Sequence, residues 1–395
     1  MPGRDPGESH RPASSLELLF DLCFVIAVAQ ASESLHEALL HGEYVTGALR
    51  FALVFFTVWW AWMNFTWFAS AYDPDDVPYR LTVLVQITGS LVLAAGVSRA
   101  FEEGDLRVIT LGYVVLRTAL AALWLRAAWS DPARRATTLR FAGGVTACQI
   151  GWVGLLGLPV SARLPGIVVM IVAELCVPVW AQSAGMTPWH PRHIAERYQL
   201  FTLIVLGESV AAATVAVRGA FDRPHGLGSL YALAAGGLLM AFAMWWLYFA
   251  RPAHTLLATT HQAHRRRFTW AYGHYLIFAS ATAEGAGLAA YADHVTGHTG
   301  TSPAVAGAAV TVPAAVFLIT VWAVHLRPHQ RTAAERAPYP VAAVGVLAAA
   351  WSPAPALAAG GLLAVLVAVV AAGDARRLRI TAGGSVDARG ACAGS

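Results

Sequence analysis

Twelve runs of mainly apolar residues, most of them about twenty long, divide this chain, and polar connections that often carry arginine separate most of them. The runs are 16–38, 45–71, 80–101, 106–127, 138–160, 164–184, 197–217, 228–250, 267–291, 303–325, 338–354 and 356–373. A run of about twenty apolar residues matches the hydrocarbon thickness of a bilayer. Within hydrocarbon only a helix or a closed barrel satisfies its own backbone. The pattern therefore predicts an all-α, polytopic transmembrane helix bundle. The last two runs are short and parted only by Ser352-Pro353-Ala354-Pro355. They form one helical hairpin or one broken span, which puts the count at ten to twelve. Composition agrees: 57% of the 395 residues are hydrophobic and 13% are charged, about half the usual soluble share of ~25%. That leaves too little polar surface for a soluble enzyme, a nucleic-acid-binding module or a disordered chain.

Arginine supplies all 27 basic residues, and its placement gives orientation. With the N-terminus inside, 20 arginines fall in inside segments and six outside, with Arg117 left within a span. Positive residues gather on the cytoplasmic side of membrane proteins, so both termini are expected in the cytoplasm of a cell of which this is an inner-membrane protein. The N-terminal segment lacks an apolar core followed by a small-residue cleavage site and is expected to be retained. No Cys-x-x-Cys occurs among the four cysteines, so neither a disulfide framework nor a zinc site is expected.

The two halves look alike. Leu19-Phe20-Asp21-Leu22 matches Leu200-Phe201-Thr202-Leu203, Trp59-Trp60 matches Trp245-Trp246, and Arg80-Leu81-Thr82 matches Arg267-Phe268-Thr269. Three matches in order suggest two parallel six-helix repeats, 16–190 and 191–373, between tails 1–15 and 374–395. Parallel repeats are frequent in transporters.

Several stretches carry a family resemblance. Leu16-Glu17-Leu18-Leu19-Phe20-Asp21-Leu22-Cys23-Phe24-Val25 resembles the opening signature of the bacterial low temperature requirement A (LtrA) family. Asp73-Pro74-Asp75-Asp76-Val77-Pro78, Glu196-Arg197 with Leu200 to Ser209, and Tyr272-Gly273-His274-Tyr275 resemble its later segments, in the expected order. The resemblance runs from about residue 12 to 373. It implies a multi-pass membrane protein associated with growth at low temperature, and no settled biochemical activity.

Ionisable residues inside spans are costly and point to function. Glu17 and Asp21 lie one turn apart on one helix face. They read as a proton or cation site at a pore entrance, or as acids complementing a helix N-terminus. Glu208 sits at the middle of its run. Arg197 is eleven residues away, about 16 Å along the helix and too far to pair. Glu208 therefore needs a proton, water or a partner on another helix. Arg117 and Glu174 fall at equal depth in the fourth and sixth runs and invite a buried ion pair. His274 and Glu284 share the ninth run and could face one cavity. A His bonded to a neighbouring carbonyl is the plainer reading of His274. Trp59, Trp60 and Trp62 cannot share one helix face and are expected to pack on neighbours or lipid.

Other patterns carry less. His190 and His193, like His261 and His264, have metal-ligand spacing but sit in loops among arginines, and read as solvated histidines. Asp73, Asp75 and Asp76 lack the second aspartate cluster that a metal-dependent prenyl transfer needs. There is no Gly-rich nucleotide loop and no nucleophile elbow. No cofactor, metal or nucleic-acid partner is expected beyond membrane lipids and an unidentified small solute or ion. The sequence thus points to a transporter or channel using buried carboxylates, with Asp21, Glu208 and Glu17 as binding groups and Arg117, Glu174, His274 and Glu284 in support. The alternative is a membrane enzyme or scaffold acting on lipids or envelope assembly. A continuous polar path from Asp21 to Glu208 would favour transport.

Overall fold

The computed structural model describes residues 12–222, 227–259 and 264–392, with residues 1, 3 and 4. Among these the chain forms fourteen α-helices and no strand. They are α1 (Ser15–Leu40), α2 (Tyr44–Ala71), α3 (Val77–Glu102), α4 (Arg107–Ser130), α5 (Arg135–Leu155), α6 (Val160–Gln182), α7 (Pro191–Asp222), α8 (Leu227–Phe249), α9 (Ala253–Thr259), α10 (His264–Val295), α11 (Pro303–Val321), α12 (Ala333–Arg336), α13 (Pro338–Ala348) and α14 (Pro355–Cys392). The two short helices aside, each matches one apolar run. Nine of the described helices are long and apolar enough to cross a membrane. The chain is a polytopic helical membrane bundle.

Local chemistry sets the helix ends. Ser14 and Glu17 form a reciprocal capping box at the start of α1. Asp76 caps α3, accepting from the Tyr79 amide at 3.0 Å. The fifth run was expected to reach residue 160, but α5 stops at Leu155, because Gly157 and Pro159 interrupt it before Val160 opens α6. The last two runs form a hairpin: a Cβ on Gly345 of α13 would lie 3.3 Å from Leu362 of α14, across the turn at Ser352-Pro353-Ala354. After residue 373, where a tail was expected, α14 continues as helix.

Contacts divide the chain into two compact units. One comprises Met1–Glu208 with Pro252–Ala286, the other Ser209–Arg251 with Gly287–Ser395. In the first, α3 and α4 approach backbone to backbone: a Cβ on Gly112 would stand 2.3 Å from the Leu93 nitrogen, and one on Gly96 2.4 Å from that of Ile109. Small residues permit such approach in a membrane, where no hydrophobic drive separates helix from lipid. Its interior is built on α2, whose Trp59, Trp60 and Trp62 are all buried against protein. In the second unit Gly236 of α8 meets the backbone at Ala356 of α14.

The burial pattern of the first unit is that of a membrane protein. Leu22, Val45, Trp129, Ile150 and Val169 face outward, while Arg117, Arg197, Arg267, Glu17, Asp21 and Glu174 are buried. Apolar surface meets lipid, and charge pairs inside.

Candidate functional site

The first unit contains two buried clusters of charge. In one, α1 and α7 run parallel in register: Glu17 meets His193, Asp21 meets Arg197 and Ser32 meets Glu208, each pair 176 positions apart. Arg197, on the second turn of α7, reaches back to both acids on the first two turns of α1. Its Nε and Nη2 donate to the two Asp21 oxygens at 2.9 and 2.6 Å. Its Nη1 donates to Glu17 Oε1 at 2.9 Å. A bidentate fork of this kind fixes both partners in orientation. Trp62 Nε1 donates to Asp21 Oδ1 at 2.7 Å. His193 Nε2 lies 3.0 Å from Glu17 Oε1, and the Ser14 amide donates to Glu17 Oε2 at 2.8 Å. Glu17 thus caps its helix and joins an ion pair at once. All four ionisable groups are at most 3% exposed.

The sequence reading placed Glu17 and Asp21 correctly on one face but did not find their partners. His190 and His193 were read as solvated loop histidines. Both are buried, because α7 begins at Pro191 and carries His193 inward with Arg197, while the His190 amide donates to Ser70 at 3.0 Å. Periodicity held the signal for His193: one turn before Arg197, it shares that residue's face. His261 lies outside the described residues.

The second cluster centres on Glu174. Arg117 Nη2 donates to its Oε2 at 2.5 Å and Trp60 Nε1 to the same oxygen at 2.8 Å. Tyr113 and Trp152 each donate to Oε1 at 3.2 Å. Four helices, α2, α4, α5 and α6, converge on this carboxylate. Its charge is matched and both oxygens are occupied, which makes it a structural knot rather than an open binding site.

The other polar residues stand apart. Glu208 is half-buried and hydrogen-bonded with Ser32, with Glu33 as its nearest charge. It does not join Asp21, which lies eleven residues away along α1, about 16 Å. Phe24 and Val28 on α1 and Phe201 and Val205 on α7, on the same faces between them, are all buried, so among the described residues these two helices offer no continuous polar path from one acid to the other. His274 is buried, with Nδ1 2.7 Å from the Trp270 carbonyl oxygen and its ring 4.7 Å from that of Tyr198. Glu284 is buried further along α10, about 15 Å from His274 by helix rise, so the two do not share one site.

The loop aspartates are architectural. Asp75 pairs with Arg80 at 2.7 Å, Asp76 pairs with Arg126, and Asp73 lies 3.7 Å from Arg4. The Arg126 hydrogen bonds hold the Asp76 carboxyl at about 2, below its ordinary value. Among the described residues one group has metal-ligand geometry: Glu33, His36 and Glu37 on α1 place one atom each within 4.8 Å of one another.

Comparison with known proteins places this architecture. Residues 12–372 match the family model described as bacterial low temperature requirement A protein (LtrA). The chain is 29% identical over 277 residues to uncharacterized protein RA0937 of Rhizobium meliloti (strain 1021). That match takes in 66% of this chain and about 65% of the relative's length. With the family match covering nearly the whole helical bundle, the chain belongs to the LtrA family of bacterial membrane proteins.

Proposed function

We propose that this protein is a carrier that moves a small solute or ion across the bacterial inner membrane, coupled to a proton or small cation bound at Glu17, Asp21 and His193 beside Arg197. One observation carries the reading: two buried carboxylates share one guanidinium. That leaves one negative charge in excess, and an uncompensated buried charge is strongly disfavoured. One proton, shared among His193, Glu17 and Asp21, brings the cluster to neutrality, as does one small cation. The apolar plug of Phe24, Val28, Phe201 and Val205 between this cluster and the Ser32–Glu208 contact argues against an open channel. The continuous polar path that would have favoured transport is therefore not seen between these groups among the described residues, and the carrier reading rests on the charge balance of the cluster. The excess of arginine in the predicted inside segments supports both termini in the cytoplasm, and the matched motifs of the two halves support descent from a duplicated six-helix unit.

Reconstitution in proteoliposomes, with a flux screen over protons, alkali cations and small anions, tests the reading. Asp21→Asn mimics the protonated acid and leaves Arg197 paired with Glu17. It is expected to accumulate normally and to flatten the pH dependence of flux. Glu208→Gln, which keeps its bond with Ser32, is expected to weaken that dependence less. Flux that keeps its full pH dependence in both variants would refute the acid-coupled carrier.

A further inference from the structure

Arg267, the fourth residue of α10, is 1% exposed. It is one of three buried arginines among the described residues, with Arg117 and Arg197. The other two meet carboxylates. Arg267 meets none among the described residues. Its Nη2 donates to Gln182 Oε1, and Met186 Sδ lies 3.4 and 3.5 Å from Nη1 and Nη2. The rings of Phe268 and Trp189 lie 5.0 and 5.6 Å from the guanidinium carbon. A carboxamide, a thioether and two ring faces offer partial negative charge but no net charge. A guanidinium keeps its proton in any protein environment. Among the described residues its burial cost of several kcal/mol therefore meets no full opposite charge.

A cavity lies beside this cation, walled by Asn64, Trp67, Phe141, Thr187, Phe268 and Tyr272 from α2, α5, α10 and the loop after α6. We propose that this cavity binds one small monovalent anion, with Arg267 as its counter-charge. Size and charge narrow the ligand. The cavity is small, with room for roughly two waters. A halide, nitrate or formate fits that space. Larger organic anions suit it poorly, and a dianion such as sulfate would overshoot the single positive charge. The wall of the cavity also touches the acid cluster. Trp67 Nε1 donates to the Tyr198 hydroxyl at 3.0 Å, and Tyr198 follows Arg197 on α7 and packs 5.0 Å from Trp62, which holds Asp21. Trp67, Tyr198 and Trp62 thus link the wall of the cavity to the acid cluster. The proposal does not rest on the carrier reading, since it concerns binding alone.

Thermal unfolding of the purified protein in detergent, followed by tryptophan fluorescence, tests it without any flux measurement. The protein is dialysed into sodium gluconate and titrated with sodium chloride, nitrate or formate, with sodium sulfate as control at matched ionic strength. The small anions are expected to raise the Tm saturably, by about 3–5 °C at a hundredfold excess over Kd. Sulfate is expected to do nothing. Arg267→Gln should abolish the response without lowering the Tm in gluconate, because it removes an unmatched charge. Ala271→Leu, which fills the same cavity while keeping Arg267, should abolish it too. A Tm indifferent to all three small anions, or an equal rise with sulfate, would overturn the proposal even if the Gln variant fails to accumulate. So would a Gln variant that loses stability in gluconate but keeps the response.

Discussion

Removing one half of the Arg117–Glu174 pair should cost far more than removing both. Glu174 takes four donors, including the Arg117 contact at 2.5 Å, and both side chains are at most 1% exposed. Glu174→Leu leaves Arg117 buried and charged. Two of its nitrogens, Nε and Nη1, already have no hydrogen-bond partner among the described residues, so without Glu174 the guanidinium keeps no hydrogen bond in this arrangement. Breaking a buried pair in this way costs about 3–5 kcal/mol. Arg117→Leu leaves the carboxylate three donors, Trp60, Tyr113 and Trp152, so its loss should sit at the lower end of that range. Deleting a single neutral donor, as in Trp152→Phe, should cost about 1.5–3 kcal/mol as a bond to a charged group. The double variant Arg117→Leu/Glu174→Leu exchanges the pair for apolar volume and should recover most of the loss, since such replacements are often neutral or stabilising. The assay is thermal unfolding in detergent at one fixed scan rate, because unfolding of large proteins is frequently irreversible and then rate-dependent. Losses that simply add in the double variant would mean that the two groups do not act as a pair, and the knot at Glu174 would have to be abandoned.

Three further outcomes follow from the geometry. Gly112→Ala drives a Cβ to 2.3 Å from the Leu93 nitrogen and should cost at least about 1–3 kcal/mol by overpacking, whereas Gly143→Ala, with open space around it, should be near neutral in the same unfolding assay. The Asp76 carboxyl, lowered to about 2, contributes stability above the unfolded value near 4 that disappears as pH falls through 2. Unfolding temperatures scanned from pH 5 to 2 should show this loss, smaller than a buried pair would give because the site is well exposed, and Asp76→Asn should flatten it; an unchanged slope would remove the clamp. Reporter fusions in the 131–134 loop and at the C-terminus should both read as cytoplasmic, and a periplasmic C-terminus would reject the orientation drawn from the arginines.

Ten to twelve spans were legible in the sequence because hydrocarbon imposes one simple demand, about twenty apolar residues per crossing, that a one-dimensional pattern can display. Family membership was legible too, since its motifs are local. Glu17 and Asp21 were visible as a shared face because their spacing lies within one turn of α1. Arg117 and Glu174 could be matched by depth, since charges buried at one level have few partners to choose from. Tertiary structure alone decided the rest. Spacing along one helix excluded an Arg197–Glu208 pair, but that Arg197 meets Asp21 and Glu17 depends on the register between α1 and α7, which no spacing along one helix contains. The burial of His193 depends on where α7 begins and which way its first turn faces. That Arg267 meets no acid among the described residues is a property of everything packed around it. Sequence periodicity records which side of a helix is turned inward; pairing, charge balance and empty space arise only when several helices meet, because each is fixed by distances between segments that the chain keeps far apart.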